Sequence, residues 1–224
     1  IFFFKSKHMN TIIQRFNKIK SNITSIKPIR PVNIVAVSKT FALNHIQPLI
    51  DYGHKHFGEN KVQEAFSKWH ELKKSNNSLN LHMIGKLQSN KAKKAVEIFD
   101  YIHSLDNQKL ADILSREQQN LGKKLKYFIQ VNIGNELQKS GVQAQELDNF
   151  YNYCIKEKNL NVIGLMVIPP NDNNTNKYFK NLDELNNSLS LKELSMGMSA
   201  DYYEAIKNNA TFVRIGSLIF GNRG

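Results

Sequence analysis

Eight short apolar runs alternating with amphipathic helical stretches predict an α/β fold for this 224-residue chain, a single-domain (β/α)8 barrel of TIM type. Two further observations support it. No composition shift or long linker divides the chain. Polar and glycine-rich segments follow the strands, and in a barrel all strand ends of one sense form a single mouth. A doubly wound open sheet is the alternative arrangement of the same elements.

Residues 10–26 open the domain as an extra N-terminal helix. Ile12, Ile13, Phe16, Ile19, Ile23 and Ile26 fall on one face at 3.6-residue spacing, and Pro28 and Pro31 end it. Residues 1–9 read as a disordered N-terminal extension, so the domain spans 10–224. The first strand covers 32–39. Its Ile34, Val35, Ala36 and Val37 form the continuous apolar run of a strand buried on both faces. Further strands are expected at 55–58, 81–85, 101–105, 126–133, 162–168, 193–197 and 211–215. Helices are expected between them at 44–52, 60–73, 89–98, 107–121, 143–158, 174–190 and 201–208. Asn44 and Ser89 suit N-caps, and Gly53 and Gly122 stand where helix C-caps belong. Asn171 to Asn176 is a low-complexity polar loop after the sixth strand.

Composition narrows the class. Hydrophobic residues make up 41% and charged residues 22%, ordinary for a soluble globular protein. The one cysteine, Cys154, excludes a disulfide framework and fits a cytoplasmic setting. No apolar run approaches the roughly 20 residues of a membrane helix, and Ile-Phe-Phe-Phe at the start is too short for a signal-peptide core. The net charge of +12 raises nucleic acid as a partner. Its lysines are scattered, however, and the densest group, Lys86, Lys91, Lys93 and Lys94, reads as a solvated helix face. No nucleic-acid or membrane partner is expected.

The chemistry gathers behind the strands. Lys39 caps the first strand, where a partly desolvated amine can form a Schiff base with an aldehyde. Ser199 follows strand seven, and Gly216 and Ser217 follow strand eight. Loops at these two positions often hold a phosphate in barrels; ordinary helix capping is the other reading. Arg214, two residues before Gly216, needs an acceptor if it is buried. A pyridine nitrogen would serve, and so would an internal carboxylate such as Glu59. His54, His56, His82 and His103 lack metal-ligand spacing and read as satisfied polar residues. Cys154 reads as packing, and there is no Walker loop or G-x-G-x-x-G.

Several segments occur in the order of one family: Ala36-Val37-Ser38-Lys39, Phe57-Gly58-Glu59-Asn60-Lys61-Val62-Gln63-Glu64, His82-Met83-Ile84-Gly85, Leu87-Gln88-Ser89-Asn90-Lys91 and Ile102-His103-Ser104-Leu105-Asp106. Lys139-Ser140-Gly141, Gly164-Leu165-Met166, Ile168-Pro169-Pro170, Leu194 to Asp201, Arg214-Ile215-Gly216-Ser217 and Ile219-Phe220-Gly221 continue it. Over residues 10–224 the chain resembles the pyridoxal phosphate homeostasis proteins, single-domain barrels similar to the N-terminal domain of alanine racemase. The resemblance implies pyridoxal 5′-phosphate (PLP) as cofactor, held as a reversible Schiff base on Lys39. It implies that Arg214 faces the ring nitrogen, that Ser199, Gly216 and Ser217 hold the phosphate, and that Asn60 sits near the ring.

The expected function is binding, buffering and delivery of PLP in vitamin B6 and amino-acid homeostasis. Apo PLP-dependent enzymes are the recipients, and the carrier is a monomer. A weak PLP-dependent amino-acid racemase is the alternative. It needs a second acid/base, for which Tyr202, Lys139 or a histidine would have to serve. Only a few residues follow the eighth strand, too few for the extra domain that supplies this base in racemases. An arginine at the ring nitrogen also weakens the ring as an electron sink. Lys139, in the loop after strand five, is a candidate second acceptor of the cofactor.

Overall fold

The computed structural model describes residues 10–136 and 138–221. Eight parallel strands close into a barrel in sequence order, β1 Asn33–Val37, β2 His56–Glu59, β3 Asn80–Met83, β4 Tyr101–Leu105, β5 Lys126–Gln130, β6 Asn161–Met166, β7 Glu193–Met198 and β8 Phe212–Ile215. The closure pairs β1 with β8, with Asn33 opposite Phe212 and Val35 opposite Arg214. Closure leaves no edge strand exposed.

The helices are α1 Thr11–Ile26, α2 Leu43–Asp51, α3 Val62–Ser75, α4 Ala92–Ile98, α5 Gln108–Asn120, α6 Leu147–Asn152, α7 Thr175–Ser188, α8 Tyr202–Lys207 and α9 Ser217–Phe220. A 3₁₀ turn, Ser89–Lys91, leads into α4, and α6 runs on as one π-helical stretch, Tyr153–Glu157. The N-terminal helix is not an appendage. It packs against α2, α8 and α9. Its buried face is Ile12, Ile13, Phe16, Ile19 and Ile23.

Two apolar layers follow from strand alternation. The outer layer, between strands and helices, includes Phe57, Trp69, Leu81, Ile102, Tyr127 and Phe179. The inner layer, inside the barrel, is Val35, Tyr101, Phe128, Met166 and Phe212.

Some boundaries differ from the sequence reading. Strand β1 stops at Val37, so Lys39 lies in the turn that follows and not on the strand. Strand β5 stops at Gln130 and β6 at Met166, because the chain leaves the sheet there to form the mouth. Asn44 does not cap α2. The chain turns at Ala42, whose carbonyl accepts from His45 and Ile46, so Asn44 is already inside the helix. Ser89 lies within the 3₁₀ turn and caps nothing through its side chain. Gly53 and Gly122 do stand just past helix ends with positive φ. The reading of residues 1–9 falls outside the described residues.

Candidate active site and family

A cleft of about 640 Å³ opens at the C-terminal ends of the strands, within the usual range for a small-molecule site. Lys39, Asn60, Ser199, Arg214, Gly216 and Ser217 all line it. Ile84, Ile168 and Met198 supply apolar wall. A second cleft of about 660 Å³ lies at the opposite end of the barrel, between α1 and the starts of β1 and β2, and contains none of the six.

Arg214 is buried. Nη1 donates to the Ser195 carbonyl at 2.8 Å and to Ser195 Oγ at 2.7 Å, and Nη2 donates to the Val167 carbonyl at 2.8 Å. That accounts for three of its five N–H groups. Burial lowers its pKa to about 10, opposed by the charge of Asp201. It therefore remains a cation at neutral pH. Glu59 is not its partner, contrary to the internal-carboxylate reading. Alternation turns Arg214 into the barrel and Glu59 outward under α3.

That outward Glu59 fixes the turn carrying Lys39. Its Oε1 accepts from Ser38 Oγ at 2.8 Å, Trp69 Nε1 at 2.9 Å and Lys68 Nζ at 2.9 Å. Lys68 Nζ also donates to the Ser38 carbonyl at 2.9 Å and to Glu64 Oε1 at 3.3 Å. Glu64 Oε1 in turn accepts the Thr40 backbone N–H at 2.5 Å. Thr40 adopts φ 69°, a conformation that a β-branched residue holds only where its surroundings impose it. Lys39 is thus presented, half-buried, between two residues clamped from α3.

The other positions are equally constrained. Asn60 Oδ1 is a buried acceptor with no hydrogen-bond partner. Its backbone packs so closely on Gly85 that a Cβ there would lie 2.5 Å from the Asn60 carbonyl oxygen. The hydroxyls of Ser199 and Ser217 are 3.2 Å apart and join the loops after β7 and β8. Asp201 Oδ1 accepts the Met198 N–H at 2.6 Å and so holds the Ser199 loop. Gly197, at φ 92°, lets the strand turn against α8, where a Cβ would meet Ala205 at 2.5 Å.

Two sequence candidates fall elsewhere. Lys139 pairs with Glu136 at 2.6 Å and does not line the cleft. Tyr202 is buried on α8, and its hydroxyl accepts from Asn22 of α1 at 3.1 Å. Burial raises the pKa of that hydroxyl. Cys154 is packed in the π-helical stretch, and burial pushes its thiol up to about 12. Lys68, Trp69, Ser195 and Asp201 were not singled out from sequence. The signal that could have found Lys68 and Trp69 is Glu59 itself, a buried strand carboxylate that demands donors, with both residues on the helix that follows its strand.

Residues 15–224 match the family model described as alanine racemase, N-terminal domain. The chain is 39% identical over 199 residues to the pyridoxal phosphate homeostasis protein of Aquifex aeolicus, covering 85% of this chain and 86% of that one. It is 40% identical over 201 residues to that of Synechocystis sp., covering 86% and 92%. The solved structure of PipY from Synechococcus elongatus PCC7942 with PLP bound superposes with a TM-score of 0.82 at 35% identity, covering 94% of this chain and all of PipY. With a closed eight-stranded barrel and near full-length similarity at this level, the chain belongs to the pyridoxal phosphate homeostasis protein family, within the wider alanine racemase N-terminal domain family.

Proposed function

We propose that this protein binds PLP in the upper cleft, holds it reversibly on Lys39, and buffers or delivers it to apo PLP-dependent enzymes. The observation that carries the reading is convergence. Six residues, from Lys39 after β1 to Ser217 after β8, line one cleft, and a relative of the same fold contains PLP.

The residues present fit the group. The cofactor combines an anion, a pyridine ring and an aldehyde. Hydroxyls of Ser199 and Ser217 stand together to donate to the anion. Arg214 has N–H groups beyond those that anchor it and would donate to the ring nitrogen. Because the guanidinium keeps its proton, it would leave that nitrogen unprotonated. The unpartnered Asn60 Oδ1 offers an acceptor beside the ring. When bound, PLP supplies an aldehyde that condenses reversibly with an amine. Lys39 presents that amine from a turn fixed by Lys68 and Glu64.

Carrier use is favoured over racemisation by what lines the cleft. Among the described residues, its titratable side chains are Lys39 and Arg214. A two-base reaction needs another acid/base on the opposite face of the ring, and neither Tyr202 nor Lys139 lines the cleft.

The test is an absorbance titration with PLP, before and after borohydride, on the wild type and on Lys39→Ala. A reducible band that depends on Lys39 is expected, with reduced cofactor recovered on the peptide containing residue 39. The same band in Lys39→Ala would refute the assignment. Transfer is tested by mixing the loaded protein with an apo-enzyme and a scavenger of free PLP; activation no faster than from free PLP would refute delivery.

A further inference from the structure

Arg214 is a buried cation that makes no salt bridge with a carboxylate among the described residues. Two carbonyls and the Ser195 hydroxyl hold it. The hydroxyl leads further. Ser195 Oγ lies 2.7 Å from His103 Nδ1. His103 Nε2 lies 2.9 Å from His82 Nδ1, and His82 Nε2 lies 3.0 Å from His56 Nδ1. His56 also lines the basal cleft. Side chains from β7, β4, β3 and β2 thus make one unbroken line of hydrogen bonds down the barrel interior, from the upper cleft to the lower one.

The line has a direction. A guanidinium only donates, so Ser195 Oγ accepts from Nη1. The hydroxyl proton is then free to go to His103 Nδ1. A neutral imidazole carries one N–H, so an accepting Nδ1 implies a donating Nε2. The same step repeats at His82 and again at His56. All three rings therefore carry the proton on Nε2 and turn a lone pair towards Arg214. The opposite polarity would aim three N–H dipoles at a buried cation that makes no salt bridge among the described residues. Burial keeps the rings neutral. Desolvation holds His82 and His103 well below the usual histidine range, with neighbouring histidines adding to it at His82 and Arg214 at His103. Desolvation also lowers His56, where Lys126 and Lys55 add to it and Asp100 opposes it. Ring contacts fix the orientations: His82 stacks on Tyr101 at 4.1 Å and His103 on Phe128 at 4.4 Å.

We propose that His56, His82, His103 and Ser195 form a polarised hydrogen-bond relay that positions Arg214, compensates its unpaired charge and couples the cofactor cleft to the basal cleft. Ser195, His103 and His82 are positioning residues acting through Arg214. The inference rests on the PLP reading only for the identity of the ligand at Arg214. The relay itself belongs to the protein alone.

The test is therefore made first without PLP. Long-range ¹H–¹⁵N correlation spectra of ¹⁵N-histidine-labelled protein at neutral pH report the tautomer of each ring. His56, His82 and His103 are expected to be Nε2–H. Ser195→Ala, which removes the donor at the head of the line, is expected to shift the tautomer populations of His82 and His56, whose rings do not touch residue 195. Ser195→Thr, which keeps the hydroxyl, is expected to retain the wild-type pattern. Any of the three rings mainly Nδ1–H in the wild type, or unchanged His82 and His56 signals in Ser195→Ala, would overturn the relay. If Ser195→Ala does not fold, the wild-type and Ser195→Thr spectra still decide.

A PLP titration then reads the positioning role. About tenfold weaker binding is expected in Ser195→Ala, as for the loss of a hydrogen bond to a charged group, with Ser195→Thr restoring it. Equal affinity in Ser195→Ala would overturn that role. Failure of the wild type to bind PLP would remove the cofactor reading and leave the tautomer result standing.

Discussion

Replacing Lys68 with methionine removes the keystone beneath Lys39 while keeping most of the side-chain volume. The Lys68 side chain is 9% exposed, and its Glu59 partner is fully buried. Without the ammonium, the Glu59 carboxylate retains Ser38 Oγ and Trp69 Nε1 as donors to Oε1, and its Oε2 has no partner. Removing one member of a buried ion pair costs about 3–5 kcal/mol. For a domain of this size, that lowers Tm by roughly 6–20 °C. Circular-dichroism melts of Lys68→Met and of the double variant Lys68→Met/Glu59→Gln measure it. The double variant removes the stranded charge but keeps the acceptor for Ser38 and Trp69, so most of the stability is expected to return. In it the Ser38 carbonyl keeps only the Phe41 N–H and still lacks the Lys68 ammonium that ties it to α3, so the turn presenting Lys39 stays loosened and PLP affinity is not restored. A loss below about 1 kcal/mol in Lys68→Met would mean the pair behaves like an exposed one and would refute the reasoning. Recovery of affinity together with stability would show that the clamp does not position Lys39.

Three further outcomes are expected. Gly85→Ala forces a Cβ to within 2.5 Å of the Asn60 carbonyl oxygen and 2.8 Å of its Cβ; about 1–3 kcal/mol of destabilisation should follow, with weaker PLP binding, and an unchanged melt and titration would contradict the packing. Ser199→Ala/Ser217→Ala should weaken PLP at least about tenfold while leaving binding of pyridoxal, which lacks the phosphate, unchanged; equal losses for both ligands would remove the phosphate from these loops. Stability should fall in acid. Burial lowers the pKa of His54 to about 4, against 6.5 for the free side chain. The unfolded chain therefore binds its proton first. The stability from keeping His54 neutral is fully present above pH 6.5 and drains away as pH falls towards 4. It amounts to at most about 3 kcal/mol, with His56, His82 and His103 acting in the same direction. Urea midpoints that stay level from pH 7 to pH 4.5 would contradict this.

The order and type of the elements were legible in local sequence pattern. Continuous β-branched runs and 3.6-residue stripes are local patterns, and local patterns survive without knowledge of what packs against them. The sequence also marked Lys39, Arg214, Ser199, Gly216 and Ser217, because functional groups in a barrel follow strand ends, and strand ends can be read in one dimension. Asn60 came only with the family resemblance; no local pattern pointed to it. Side-chain pairing was not legible there and depends on the closed barrel. Arg214 and Glu59 lie on strands separated only by β1, and opposite charge invites a bridge between them. Strand alternation sends one into the barrel and the other under α3, so each finds a different partner. The line from Ser195 to His56 joins residues up to 139 positions apart, and in sequence they lie in four separate segments that nothing local connects. They meet because closing eight staggered strands brings inward side chains of β2, β3, β4 and β7 to one axis. A charge buried there has to be answered by whatever dipoles the other strands deliver, and which strands those are is fixed by barrel closure, a long-range property that no window of sequence contains.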